Sequence, residues 1–412
     1  MREMKDSGIE WAGVIPNTWN INKGKYFMEL LTRPTLETDE VITCFRDGEV
    51  TLRSKRREEG FTVSLTEAGY QGIEIGDLVV HGMDGFAGSI GISDSRGKAT
   101  PVLNVLDTEQ NKRYMMYLMR TMAYCELFLS LATGIRVRTC DTNWKKLREI
   151  DYILPTIPEQ KAIADFLDEQ CAEIDSLISD IQSQIEALEE YKRSVITEAV
   201  TKGLDPDVEM RDSGVQWIGE IPTHWTLIRI GSLYGLRTQK VSDIDYPPLS
   251  VTKMGVLPQL DTVAKTNAHD DRKLIVKGDF VINSRSDRRG SCGISDYTGS
   301  VSLINTVLFP ITEMNPRYYN WYFHTVGFAD EFYRWGHGIV DDLWTTGWQD
   351  MKNILISVPP LDEQQRIADY LDSKCAEIDN IITEKKQQIE TIEEYKKSLI
   401  FEYVTGKKEV QA

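Results

Sequence analysis

Two stretches of this chain are copies of each other, and duplication on that scale constrains architecture more than any local pattern. Residues 159–198 read EQKAIADFLDEQCAEIDSLISDIQSQIEALEEYKRSVITE, and residues 363–402 read EQQRIADYLDSKCAEIDNIITEKKQQIETIEEYKKSLIFE, aligned without a gap at an offset of 204. In the first copy Ala164, Leu167, Cys171, Ile174, Ile178, Ile181, Ile185, Leu188 and Val195 recur at steps of three and four, with one longer step across Lys192. The second repeats the pattern with Ala368, Leu371, Cys375, Ile378, Ile382, Ile389, Ile392 and Leu399, interrupted by Lys385 and Lys396. This is a two-position heptad seam, narrower than the face of an ordinary globular helix. Each copy therefore predicts a long helix, and matching seams predict that the two pack on each other as an intramolecular coiled coil. Thr156-x-x-Glu159 and Asp362-x-x-Gln365 offer capping boxes at the starts, and Gly203 and Gly406 sit where the helices should stop.

A chain of 412 residues leaves room, beside two such helices, for two domains of ordinary size. With 41% hydrophobic residues, each can bury a core. The sequence shows no apolar run long enough to span a membrane, no secretory signal, and no C-x-x-C among its six cysteines. A cytoplasmic, reduced setting is the expectation. The net charge of −17 weighs against non-specific coating of nucleic acid. Its distribution softens that point. Residues 159–202 hold 4 basic and 11 acidic groups and residues 362–402 hold 6 and 11, so the helices supply −12 of the total.

The repeat extends outward. Met4–Trp19 reads MKDSGIEWAGVIPNTW and Met210–Trp225 reads MRDSGVQWIGEIPTHW, a turn-rich lead-in to each domain with Trp11, Trp19, Trp217 and Trp225 expected as packing anchors. Further on, Gly76–Asp94 and Gly278–Asp296 share a strand, a loop and a second strand. Between the strands the frame matches while the side chains diverge: His81, Gly82, Met83 and Asp84 face Asn283, Ser284, Arg285 and Ser286. Two readers of different ligands would show this pattern, and so would duplicates that had drifted. Helical segments near 112–131 and 318–333, a tryptophan (Trp144, Trp348) and a strand ending at Pro155 or Pro359 complete each domain. The regions read as α+β, with domains at 1–155 and 204–358 and helices at 156–203 and 359–412.

Catalytic motifs are absent. The sequence contains no phosphate-binding G-x-x-x-x-G-K-[ST] and no G-x-G-x-x-G after a strand. Asn315-Pro-Arg-Tyr318 is a near miss for the Asn-Pro-Pro-Tyr of amino-methyltransferases, without a cofactor loop before it. The five histidines lack zinc-ligand spacing. Basic groups are more informative. Arg53, Lys55, Arg56 and Arg57 form one run, Arg136 and Arg138 another; Lys253, Arg285, Arg288 and Arg289 lie in the second domain. Arginine suits phosphate contact and bidentate recognition of guanine, although a solvated face is the default for any one run. With the loop residues His81, Met83, Asp84, Asn283 and Ser284, and with His337, these are the candidate ligand-contacting set.

Taken in order, the motifs resemble the specificity subunit of type I restriction–modification enzymes. They are D-S-G-I-E-W…I-P-x-x-W at Asp6–Trp19, repeated at Asp212–Trp225; the Gly-Asp strand and glycine loop; L-S-V-T-K-x-G-V-L-P at Leu249–Pro258; and P-P-L-x-E-Q-x-x-I-A-x-x-L-D at Pro359–Asp372. The resemblance covers essentially the whole chain. It implies two target-recognition domains, each reading half of a split, asymmetric DNA site, and an antiparallel coiled coil that sets the gap and docks two methyltransferase subunits. It also implies a non-catalytic chain, one copy per complex, with restriction subunits joining through the methyltransferases. S-adenosylmethionine, ATP and magnesium would belong to those partners. The competing classes are a coiled-coil scaffold binding only protein, which the acidic charge favours, and a methyltransferase in its own right.

Overall fold

The structure is a computed structural model that describes residues 2–57, 67–131, 142–259, 270–285, 288–338 and 344–410. The chain divides into two compact units, residues 1–181 with 387–412, and residues 182–386. The division falls inside both long helices, Ile157–Lys202 and Leu361–Val404, so each unit holds the first half of one and the second half of the other.

Each unit is built on a four-stranded antiparallel sheet of the same order. In the first the strands run Met28–Leu30, Leu103–Thr108, Leu78–His81, Ile90–Ile92; in the second, Tyr234–Leu236, Asn305–Pro310, Phe280–Asn283, Cys292–Ile294. Strand periodicity sends alternate residues to opposite faces. Leu78, Val80 and Leu106 join the large core with helix Lys112–Tyr124, whereas Val79 and Val105 join a smaller core beneath hairpin 42–52. Phe280, Ile282 and Leu308, and then Val281 and Val307, do the same in the second unit, under hairpin 249–258. The hairpins press on glycines of the edge strands: a Cβ at Gly91 would lie 1.8 Å from the Gly48 carbonyl oxygen, and one at Gly293 would lie 2.8 Å from the Gly255 Cα. Only glycine allows that approach.

Within each unit the helix halves run antiparallel. In the first, Phe166 meets Tyr403 and Asp175 takes the Lys396 ammonium at 2.6 Å. In the second, Gln184 meets Lys385 and Lys192 reaches Asp379 at 2.7 Å. The lysines that interrupt the seam thus cross to carboxylates or an amide, their stems lying along the seam. Ile181, Ile185, Ile378 and Ile382 are buried in the central stretch, while Ala164, Leu167, Cys171 and their copies are also part of each unit's sheet-and-helix core. The seam is therefore a coiled coil in its middle and domain core at its ends.

The helix starts are fastened by duplicated polar contacts. Trp19 and Trp225 are fully buried and donate their indole N–H to Glu159 (3.1 Å) and Glu363 (2.6 Å). Gln160 and Gln364, also buried, accept from the amides of Asn111 and Asn315 and donate to the carbonyls of Pro155 and Pro359. Arg113 pairs with Asp165 and Asp168, and Arg317 with Asp369 and Asp372. Tyr114 and Tyr318 donate to the carbonyls of Val404 and Val200 at the helix ends. Gly406 and Gly203 follow with φ of 70° and 80°, the left-handed stop that their sequence position predicts.

One local expectation is corrected. The second helix begins at Leu361, which places Asp362 and Gln365 inside it, and Gln365 bonds Asp369 and Asn315 rather than closing a capping box. The near miss Asn315-Pro-Arg-Tyr318 is a helix cap: Oδ1 of the Asn315 side chain accepts from the amides of Arg317 and Tyr318, with Pro316 at the first helical position.

Candidate nucleic-acid interface

In each unit the small hairpin and the loop at the end of the third sheet strand meet at the same end of the sheet. The shared frame holds the loops alike. The amides of His81 and Asn283 donate to Ser89 and Ser291 across the loop, and the amides of Thr142 and Thr346 donate to the carbonyls of Gly82 and Ser284. What differs is what the frame carries.

In the first unit the two candidate stretches converge. Arg53, Arg56, Arg57, His81 and Asp84 line one open concavity of about 890 Å³, together with Arg46 and Asp47 of the hairpin turn. Arg53 donates from Nε to Thr43 Oγ1 at 2.9 Å, and burial pulls its pKa below the ordinary guanidinium value. Arg56 forks onto Asp47 and also meets Glu49, with its guanidinium 4.1 Å from the Phe45 ring centroid. Burial opposes ionisation of Asp47, but the bonds from Arg56 and the Glu49 amide prevail and hold its pKa below the usual carboxylate value. His81 is an organiser of the loop. Its Nδ1 accepts from the amides of Met83 (3.2 Å) and Asp84 (3.0 Å), which leaves Nε2 to carry the proton, and burial lowers its pKa against the pull of Asp84. Met83 is half exposed at the tip, and Asp84 pairs with Arg46 at 2.9 Å. Lys55 faces elsewhere, bonded to Ser95 at 2.7 Å. Arg136 and Arg138 lie outside the described residues.

The second unit replaces the concavity with an aromatic floor. Arg285 and Arg289 edge a notch of about 20 Å³ lined by Phe328, Phe332, Tyr333 and Trp344. Arg289 pairs with Asp330 and stacks over Tyr333, itself stacked on Trp344 at 5.8 Å. Arg285 and His337 both form backbone bridges to Thr345, which draws the segment at 337 onto the loop, and the His337 ring faces Asp350 at 3.4 Å. Arg288 is exposed beside them, and exposed Lys253 occupies the tip of hairpin 249–258. Asn283 accepts from the Arg285 amide and shapes the loop. Ser284 is buried, its hydroxyl 3.0 Å from that of Thr306.

Sequence reasoning missed Arg46, Asp47 and Glu49. The adjacent acid in Arg46-Asp47 made the turn look electrically neutral, and only the hairpin brings it to Arg56 and Asp84. Among the described residues no cluster of three or more His, Cys, Asp or Glu could hold a metal ion, and no helix is long and apolar enough to cross a membrane.

Comparison with known proteins bears on this arrangement. Residues 225–391 match the family described as type I restriction modification DNA specificity domain. The chain is 27% identical over 322 residues to a putative type I restriction enzyme MjaX specificity subunit of Methanocaldococcus jannaschii, covering 74% of this chain and 71% of that one. Two solved structures share the fold. One, from work on complex assembly and conformational transition of the type I restriction–modification system, has a TM-score of 0.71 at 11% identity over 95% of this chain and 98% of that one. The other, the HsdS subunit from Thermoanaerobacter tengcongensis, has a TM-score of 0.52 at 13% identity over the same shares. In its duplicated α+β architecture, its paired long helices and its sequence, the chain is similar to the specificity subunits of type I restriction–modification systems.

Proposed function

We propose that each unit reads one half of an asymmetric, two-part DNA target, and that the chain supplies this recognition to a methyltransferase and restriction assembly without itself performing catalysis. The observation that carries the reading is the matched frame with divergent arginine-bearing tips: Arg46, Arg53, Arg56 and Arg57 in one concavity, Arg285 and Arg289 on the aromatic floor of the other unit. Arginine at such a tip offers a guanine edge two parallel donors, worth about 1–3 kcal/mol of discrimination per good pair. The neighbouring amides and hydroxyls hold the loop still, so that little ordering cost is left for binding. The Arg288, Lys253 and Lys55 ammonium and guanidinium groups serve phosphates in this reading, and His81, Asn283 and Ser284 shape the loops.

The paired helices set the gap between half-sites and dock two methyltransferase subunits, through which restriction subunits join. One copy of this chain serves the complex, because its internal duplication already provides two recognition units. S-adenosylmethionine, ATP and magnesium are assigned to the partners.

The test is selection from a random duplex library, with the chain co-expressed beside its methyltransferase. Two short, unlike motifs at one fixed gap are expected. An assembled complex that enriches no sequence overturns the reading in favour of a protein-binding scaffold.

A further inference from the structure

Two arginines of the first unit's concavity, Arg56 and Arg46, are presented with counter-anions already in place. Arg56 Nη1 and Nη2 meet Asp47 Oδ1 and Oδ2 at 3.0 and 2.5 Å, and Nη1 also meets Glu49 Oε2 at 2.5 Å. Arg46 Nη2 meets Asp84 Oδ1 at 2.9 Å. A carboxylate that takes both arms of a guanidinium occupies the donors that a phosphate or the O6/N7 edge of guanine would take. These carboxylates are also accessible, with side-chain exposures of 56% for Asp47, 50% for Glu49 and 34% for Asp84. Exposed pairs of this kind are weak and exchange partners readily. The second unit follows suit with Arg289 and Asp330.

We propose that Asp47, Glu49 and Asp84 mask Arg56 and Arg46, so that the chain forgoes much of its sequence-independent attraction to phosphate and releases these two guanidiniums only where base contacts replace the carboxylates. The inference rests on the reading of this concavity as a DNA surface. Of the four arginines in the concavity, it withholds Arg46 and Arg56 from phosphate in the absence of a target. Specificity is the ratio of target to non-target affinity, and masking raises it by lowering the second term more than the first.

The experiment compares full-length Asp47→Asn/Glu49→Gln and, separately, Asp84→Asn with the parent chain, measuring binding to a random-sequence duplex across a salt series. Non-target binding is expected to tighten several-fold at low salt. The log–log salt slope should steepen by about one for each arginine released, as each takes a phosphate and frees a counterion. Preference for the selected target should narrow, and adding Arg56→Gln to the double variant should return both readouts to the parent values. Unchanged or weaker non-target binding in both variants, at parental unfolding midpoints, overturns masking and makes the carboxylates positioning groups. If one variant does not fold, the other, on a separate ion pair, decides. The quadruple Arg46→Gln/Arg53→Gln/Arg56→Gln/Arg57→Gln separates the two ideas. If it keeps the first half-site preference, the DNA reading of the groove fails and masking with it; if it loses that preference while the carboxylate variants change nothing, masking alone fails.

Discussion

At the starts of the long helices the two units repeat each other almost bond for bond, whereas at the tips of their sheets they share backbone and little else. Trp19 and Trp225, Gln160 and Gln364, Arg113 and Arg317, Tyr114 and Tyr318 each make the same contact in their own unit. At the tips, His81 stands where Asn283 does and Met83 where Arg285 does, although the loop-closing hydrogen bonds coincide. Duplication preserves both regions equally at first. At the buried joints the polar atoms are paired, and loss of a partner leaves a group stranded in low dielectric. Exposed loop side chains face less of this constraint and are freer to diverge.

The sharpest way to break this comparison is at the tryptophans. Trp19→Ala and Trp225→Ala should each cost about 3–5 kcal/mol, the range for emptying a buried aromatic site, and by similar amounts. Amide exchange followed separately in peptides of 2–181 and 182–386 checks this, since each substitution should loosen its own unit. A twofold disparity would show that the joints are alike in geometry only. Next come Gln160→Leu and Gln364→Leu, which keep volume but orphan the amides of Asn111 and Asn315. A cost of about 1–3 kcal/mol each is expected from the stranded donor, read as a shift in urea midpoint.

The tips should respond in the opposite sense, with function moving and stability still. Arg285→Ala is expected to relax preference at one position of one half-site, by about 1–3 kcal/mol of discrimination, and to leave the unfolding midpoint and the other half-site unchanged. Repeating the library selection with the variant measures it. Equal relaxation of both half-sites would break the modular picture.

The sequence made the joints partly visible and the charge pairing hardly at all. The seams, the glycine stops and the anchoring tryptophans could be read because periodicity and turn chemistry are local. Gln160 and Gln364 could not, since a glutamine in a first helical turn looks like a surface residue or a cap until the Asn111 or Asn315 amide is brought against it from 49 residues away. The same holds for Arg46 and Asp84, 38 residues apart. Arg56 is the instructive case: Asp47 and Glu49 lie close in sequence, yet only the hairpin turn aims them at it. The inward turn of Ser284 was illegible for the converse reason, because exposure of a loop says nothing about which of its side chains turns inward.

The smallest expected effect tests whether the comparison extends along the helices themselves. Lys192 and Lys396 occupy equivalent seam positions and reach Asp379 and Asp175 at 2.7 and 2.6 Å, with the aspartates more than half exposed. A pair so open to water should couple by roughly 0.2–1 kcal/mol, and by less at high salt. Double-mutant cycles with Lys192→Met and Asp379→Asn, and with Lys396→Met and Asp175→Asn, isolate that term because methionine keeps the stem on the seam. Equal small couplings would place these crossings with the joints, where both units follow one rule. A coupling above about 2 kcal/mol in one unit alone lies outside the range for exposed pairs and would mean that the helices, like the loops, have begun to differ.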